Sequence, residues 1–166
     1  VIDAFDRGSY IKIIPEQNAV VGYTTRNSGG VPANFRNWFV VKFDTPFVST
    51  TVWDGATVMP GNEFTGNHAG AVVGFATRRG QQVNARVASS FISLEQAYTN
   101  LKEVGEQTLE QVKDKAQERW DDVLGRIRVE GGTDDQYRTF YSCLYRSVLF
   151  PRKLYEITEA GETVHY

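Results

Sequence analysis

Residues 133–152 read TDDQYRTFYSCLYRSVLFPR, and within them Tyr137, Phe140, Tyr141, Leu144, Tyr145, Val148 and Leu149 recur at steps of three and four. That spacing lays an unbroken apolar stripe along one face of a helix. Three of the seven stripe residues are tyrosines, whose hydroxyls need partners once their rings are covered. Only 14 residues follow Arg152, too few to form a second layer over the stripe. Either earlier elements cover it, or the chain is cut out of something larger. The expected cover is the preceding helix around Trp120, the β-rich part of the chain, or another chain.

Working outward, Thr133 with Gln136 forms a capping box, and Asp134 and Asp135 fill the first turn, where the helix dipole favours acids. Pro151 bounds the helix, and LYEITEAGETVHY after it reads as a hairpin-like extension around Ala160-Gly161. Upstream, Gly131-Gly132 breaks the chain. Before that break Thr108 and Gln111 cap a helix carrying Leu109, Val112, Ala116, Trp120, Val123, Leu124 and Ile127 on one face. Ser93 and Gln96 cap a shorter helix with Leu94, Ala97, Leu101 and Val104 inward, stopped by Gly105.

Before Ser93 the period is two, not 3.6. Tyr10–Ile14, Ala19–Thr25, Phe35–Phe43, Ala71–Thr77 and Gln82–Phe91 are β-branched or aromatic runs. Turn chemistry separates them at Asn27-Ser28-Gly29-Gly30, Asp54-Gly55, Pro60-Gly61 and Arg79-Gly80. Val83, Ala85 and Val87 alternate with Asn84 and Arg86, which places the first three on the covered face. No helix interrupts these runs, so the expectation is an antiparallel sandwich rather than βαβ units. The order is β-sandwich over residues 1–92, helical linker over 93–131, and the start of a helical domain over 132–166.

A chain of 166 residues can hold one ordinary domain, or two small ones, with an ample core. Its 41% hydrophobic and 23% charged residues are those of a globular protein, and a net charge of −2 offers no attraction for nucleic acid. No apolar run approaches the roughly 20 residues that span a bilayer, and no signal peptide is visible. The chain lacks an initiator Met, so an upstream portion is expected to have been removed. Cys143 is the only cysteine, which excludes an intrachain disulfide, and beside the stripe it reads as a small buried apolar residue.

Glycoside hydrolysis needs two carboxylates facing a sugar, roughly 6.5–9.5 Å apart for inversion or about 5–5.5 Å for retention. The candidates are Asp54, Glu63, Glu130, Asp134, Asp135, Glu156, Glu159 and Glu162. None has a context that fixes it in a pocket; Asp54 opens an Asp-Gly turn, and Asp134 and Asp135 cap a helix. No catalytic residue is therefore assigned within the chain. His68 and His165 lack a second ligand at metal-binding spacing, so no metal site is assigned either. Gly29-Gly30-Val31-Pro32 leads into a strand and lacks the ending of a phosphate loop. Arg78-Arg79 reads as a solvated hairpin end. Trp38, Trp53 and Tyr23 are candidates for a sugar-stacking platform on the sandwich, and core or sheet packing is the stronger reading for them. Arg146 and Arg152 flank the end of the last helix and are the weak candidates for substrate contact.

Three blocks, GGVPANFRNWFVVKFDTPF (29–47), VNARVASSFISLEQAYTNL (83–101) and FYSCLYRSVLFPR (140–152), together resemble glycoside hydrolase family 92, exo-acting α-mannosidases. Their order and spacing, with the Trp120 helix between, cover essentially the whole chain. The resemblance implies late strands of a supersandwich-like antiparallel β-sandwich, a helical linker, and the first helix of an (α/α)6 barrel. It implies inversion at the anomeric carbon, a Ca²⁺ ion that helps distort the mannose ring, a glutamic acid that protonates the leaving oxygen and an aspartate that activates water. Mannose-containing N-glycans or mannan would be the partners, α-1,2 linkages the commonest target, and the secreted, periplasmic or bacterial cell-surface space the location. The family's acid, base and principal calcium ligands lie further along the barrel than Tyr166, so the chain is expected to be an internal fragment, inert alone. The competing expectation is a non-catalytic carbohydrate-binding or scaffolding sandwich module.

Overall fold

Strand β3 (Ala19–Thr24, AVVGYT) is buried at four successive residues from Ala19 to Gly22, so both of its faces must be covered. The computed structural model describes residues 1–150 and 152–166. One compact unit comprises Val1–Glu103 with Tyr155–Tyr166, and a second comprises Val104–Leu154.

In the first unit β3 is the centre of an antiparallel sheet. Its companions are β2 (Ser9–Ile14), β4 (Asn37–Phe43), β7 (Glu63–Gly66) and β9 (Ala85–Ser90), in the order β7-β2-β3-β4-β9. A second sheet orders β1 (Ile2–Asp3), β8 (Ala69–Gly74), β5 (Ser49–Asp54) and β6 (Thr57–Met59) as β1-β8-β5-β6. The sequence SYIKII in β2 turns Ser9, Ile11 and Ile13 inward while Tyr10 and Lys12 point away. Ile11, Ile13 and Val20 meet Val52, Ala69 and Ala71 of the opposing sheet, with Phe39, Phe43, Phe47 and Phe64 packed around them. Each fully buried Ile or Val among them contributes roughly 1.5–3 kcal/mol by leaving water. Phe43, Phe47 and Phe75 close one end, their ring centroids 5.2–5.6 Å apart.

The other face of β3 is covered by helix α1 (Leu94–Leu101), whose Ala97 packs on Val21 and Val40 with Leu94, Tyr98 and Leu101 alongside. Ser93 accepts from the Gln96 backbone N–H, so the cap forms. Its reciprocal half does not: the Gln96 side chain donates instead to Asn100 Oδ1 and the Ile157 carbonyl. The sequence reading of residues 83–87 has the right period but the wrong face. Val87 is 59% exposed, while Ala88 packs under the helix, because α1 covers the opposite side of this edge strand. β1 and β5 to β7 are strands the periodicity did not separate from turns. The hairpin read at the end of the sequence is present as β10 (Tyr155–Ile157) and β11 (Thr163–His165).

The second unit holds α2 (Leu109–Leu124) and α3 (Asp134–Ser147), each entered through a complete capping box. Trp120 and Tyr145 lie 4.6 Å apart, and the Tyr141 hydroxyl donates to the Ile127 carbonyl at 3.1 Å. The linker helix around Trp120 thus meets the stripe. Tyr137, Phe140, Tyr141 and Leu144 are half-buried, whereas Tyr145, Val148 and Leu149 stay about 40% exposed.

Three expectations are corrected here. The last helix stops at Ser147, not near Pro151, which itself lies outside the described residues. The Ser147 hydroxyl donates to the Leu144 carbonyl, the Val148 amide is shared between the Leu144 and Tyr145 carbonyls, and the Leu149 amide bonds Arg146 three residues back, a tightening that ends α-geometry while the apolar spacing continues. The Trp120 helix ends at Leu124, leaving Ile127 beyond it. Cys143 is exposed rather than buried, because it lies off the stripe.

Gly22 tests the strand's close packing. A Cβ there would lie 2.1 Å from the Tyr10 carbonyl oxygen and 2.7 Å from Phe39 Cζ. Gly22→Ala is expected to destabilise the sandwich by about 1–3 kcal/mol in urea unfolding. An unchanged midpoint would refute the packing.

Candidate functional site

Among the described residues polar and aromatic groups come together at several places, and most of these are spent on structure. At the β5–β6 turn, Asp54 accepts the His68 amide at 3.0 Å, and His68 Nε2 lies 2.8 Å from Asp3 Oδ1. Trp53 stands edge-on to His68 at 5.2 Å and covers Gly70, where a Cβ would fall 2.0 Å from the indole. These contacts pin a turn to the first strand.

On the outer face of the five-stranded sheet, Tyr10, Tyr23 and Trp38 occupy cross-strand positions. Tyr10 stacks on Tyr23 at 5.6 Å, Trp38 meets Tyr23 edge-on at 4.8 Å, and the Arg36 guanidinium lies 5.0 Å over Tyr23. Tyr10 donates to Glu63 at 2.9 Å, and Lys12 pairs with the same carboxylate at 3.0 Å. The ring faces are taken by one another and by Arg36, and Trp53 belongs to the opposite sheet. The three aromatics singled out in the sequence therefore do not assemble one platform.

Another place is an open depression of about 300 Å³ at the start of α3, lined by Val129, Glu130, Gly131, Gly132, Gln136, Tyr137 and Phe140. Gly131 turns the chain with φ of 78°, and Gln136 is fixed because its Oε1 accepts the Thr133 amide at 2.9 Å. Tyr137 and Phe140 form an apolar wall and Glu130 a charged rim, a lining suited to a small ligand with both kinds of surface. Reading Gly131-Gly132 as a break and Tyr137 and Phe140 as packing residues hid this depression. The clue was Glu130 beside a glycine pair and an aromatic step.

The other candidates are dispersed. Glu156 accepts from the Phe91 amide and from Asn100, Glu159 pairs with Lys102, and Asp135 lies 3.7 Å from Arg138. Asp134 sits in the first turn of α3, and the Glu162 amide closes the hairpin turn on Thr158. His165 meets Tyr155 at 5.7 Å across the hairpin. Arg146 occupies the last turn of α3, and the Arg152 guanidinium lies 5.1 Å over the Phe150 ring. Glu130 lines the depression at Gly131, and Asp135 lines an adjoining open one with Gln136, Thr139 and Phe140. No three His, Cys, Asp or Glu side chains converge as a metal site among the described residues. Among the described residues, Asp54, Glu63, Glu156 and Glu159 are committed to protein hydrogen bonds or ion pairs.

Residues 3–90 match the glycosyl hydrolase family 92 N-terminal domain, and residues 96–166 match the family's catalytic domain. A solved family GH92 inverting mannosidase from Bacteroides thetaiotaomicron is 43% identical with a TM-score of 0.94, over 99% of this chain and 22% of that one. A second GH92 α-mannosidase from the same organism, 19% identical, shares the fold with a TM-score of 0.78 over 97% of this chain and 23% of its own. An uncharacterized secreted glycosidase of Arthroderma benhamiae is 40% identical over 76 residues, 43% of this chain and 10% of its own length. The chain therefore spans less than a quarter of these relatives.

Tyr10 offers a titration test of the aromatic row. Burial, then the Glu63 hydrogen bond and charge, push its hydroxyl up to about 12 from the ordinary 10.0. Between those values the unfolded chain loses a proton that the folded chain keeps, so stability is expected to fall as pH rises through that window. Tyr10→Phe should remove one phenolate absorbance step near pH 12 and reduce that fall. Titration of Tyr10 near its ordinary value would sink the assignment.

Proposed function

Given that the chain belongs to glycosyl hydrolase family 92, we propose that it forms part of an inverting exo-α-mannosidase acting on N-glycan or mannan oligosaccharides, with α-1,2 linkages as substrate. The observation that carries this reading is the match to an inverting mannosidase over 99% of the chain at 43% identity. The carboxylate acid and base, and a Ca²⁺ site in the whole enzyme, are assigned to residues outside the 166. The commitments of this chain's own carboxylates support that assignment. Residues 1–92 then belong to the N-terminal sandwich, 93–131 to the linker, and 132–166 to the start of the (α/α)6 barrel. A secreted, periplasmic or cell-surface location goes with the glycan substrate, and among the described residues no helix is long and apolar enough to cross a membrane.

Within this reading Arg146 and Arg152 are the side chains of this chain proposed to reach substrate. Both are exposed at the end of α3 and its exit, where a guanidinium can bond sugar hydroxyls.

The 166 residues alone are expected to leave aryl α-mannosides and α-1,2-mannobiose intact. The whole protein carrying them should release β-mannose first, by proton NMR, and lose activity to a chelator until Ca²⁺ is returned. Hydrolysis by the 166 residues would place the carboxylate pair inside them. A whole protein that binds mannosides without cleaving them would favour the non-catalytic module. In the active protein, Arg146→Ala and Arg152→Ala should each lower kcat/KM roughly tenfold through lost charged hydrogen bonds, at unchanged Tm. Unchanged kinetics in both would remove the arginines from the site.

A further inference from the structure

The two ends of the first unit are joined by a polar circuit that neither capping nor sheet pairing requires. Glu156 lies at the middle of β10. One carboxylate oxygen accepts the Phe91 amide at 2.8 Å and the other accepts Asn100 Nδ2 at 2.8 Å. Asn100 also donates to the Ser89 carbonyl at 2.9 Å and accepts from Gln96 Nε2 at 2.9 Å. Gln96, only 6% exposed, donates in turn to the Ile157 carbonyl at 2.8 Å. The path therefore closes on itself through β9, α1 and β10. Phe91 reinforces it by packing on Tyr166, with centroids 4.8 Å apart, and Lys102 pairs with Glu159 at the rim.

The hairpin needs such an anchor. Its strands share only the pairs Tyr155 with His165, Glu156 with Val164 and Ile157 with Thr163, and an isolated two-stranded hairpin is marginal in water. A carboxylate accepting two N–H groups makes stronger bonds than a neutral acceptor, and leaving a buried amide such as Gln96 unpaired is costly. Ser89 lies in the part matching the family's N-terminal domain, whereas Gln96, Asn100 and Glu156 lie in the part matching its catalytic domain.

We propose that Glu156 is a latch that locks the 155–165 hairpin to helix α1 and the end of β9, making hairpin and helix open as one cooperative unit across the boundary between the family's two domains. The latch rests on geometry within this chain and stands whether or not the mannosidase reading does.

Native-state hydrogen exchange on the whole protein, read on peptides from 94–101 and 155–165, tests it. In the unmodified protein the two segments should show the same denaturant dependence of exchange. Glu156→Gln keeps the shape but turns an amide nitrogen toward one of the two donors. It should speed exchange in both segments roughly tenfold or more, while β3 is unchanged and Lys102→Ala does far less. The proposal is overturned if the unmodified hairpin opens separately from α1, or if Glu156→Gln leaves the helix protected. Equal acceleration of β3 would overturn it too, because Glu156 would then act on global stability. Should Glu156→Gln not fold, the comparison within the unmodified protein decides.

Discussion

The structure of the first unit depends on covering β3 from both sides. Ala19, Val20, Val21 and Gly22 are buried in succession, so a single opposing sheet cannot satisfy them. Ile11, Ile13 and Val20 use the four-stranded sheet, and Val21 with Val40 requires Ala97. That requirement fixes where α1 must lie directly after β9, and why its inward residue is an alanine: the helix approaches closely over a β-branched surface. A larger side chain at position 97 would lift α1 and uncover Val21. The opposite face makes the same demand through Gly22, where the Phe39 ring occupies the space a side chain would need.

From the position of α1 the polar circuit follows. A helix seated on the sheet brings Gln96 and Asn100 to the side where β9 ends, and both side chains then need partners in a half-dry place. Glu156 and the Ile157 carbonyl supply them. The Gln96 side chain therefore leaves the capping role its spacing suggests. At Gln111 and Gln136, on exposed helix starts, no such demand exists and the complete capping box forms. The same short motif thus has two outcomes, decided by burial.

Much of this was legible in the sequence, because period and capping act locally. The switch of period at Ser93, the three helix starts, the sandwich strands on both sides of Asn27-Gly30 and the final hairpin all come from patterns a few residues long. What escaped has physical causes. β6 and β7 are only three and four residues long, and β5 to β7 carry Ser, Thr, Gly or Glu at many positions, so their pairing partners define them rather than their residues. The face of β9 was misread because Val87 is more apolar than Ala88, yet only one side of that edge strand receives a helix. The end of α3 was misplaced because the apolar spacing outlasts the hydrogen-bond pattern that Ser147 terminates. The depression at Gly131 was hidden because it forms where residues 129–132 meet the first turns of α3 rather than in any motif.

The carboxylates carry the functional argument further than the aromatic residues do. Acid and base catalysis requires groups whose oxygens remain available to water and to a glycosidic oxygen. Asp54 holds a turn, Glu63 bridges a lysine and a tyrosine, Glu156 closes a circuit and Glu159 an ion pair. Lys12 and Tyr10 hold the Glu63 carboxyl below its usual range, and Lys102 does the same for Glu159, the opposite of what a general acid near neutral pH requires. On the proposed reading the first barrel helix and the sandwich therefore serve as the frame. The charged chemistry is left to carboxylates that this frame does not bind to itself.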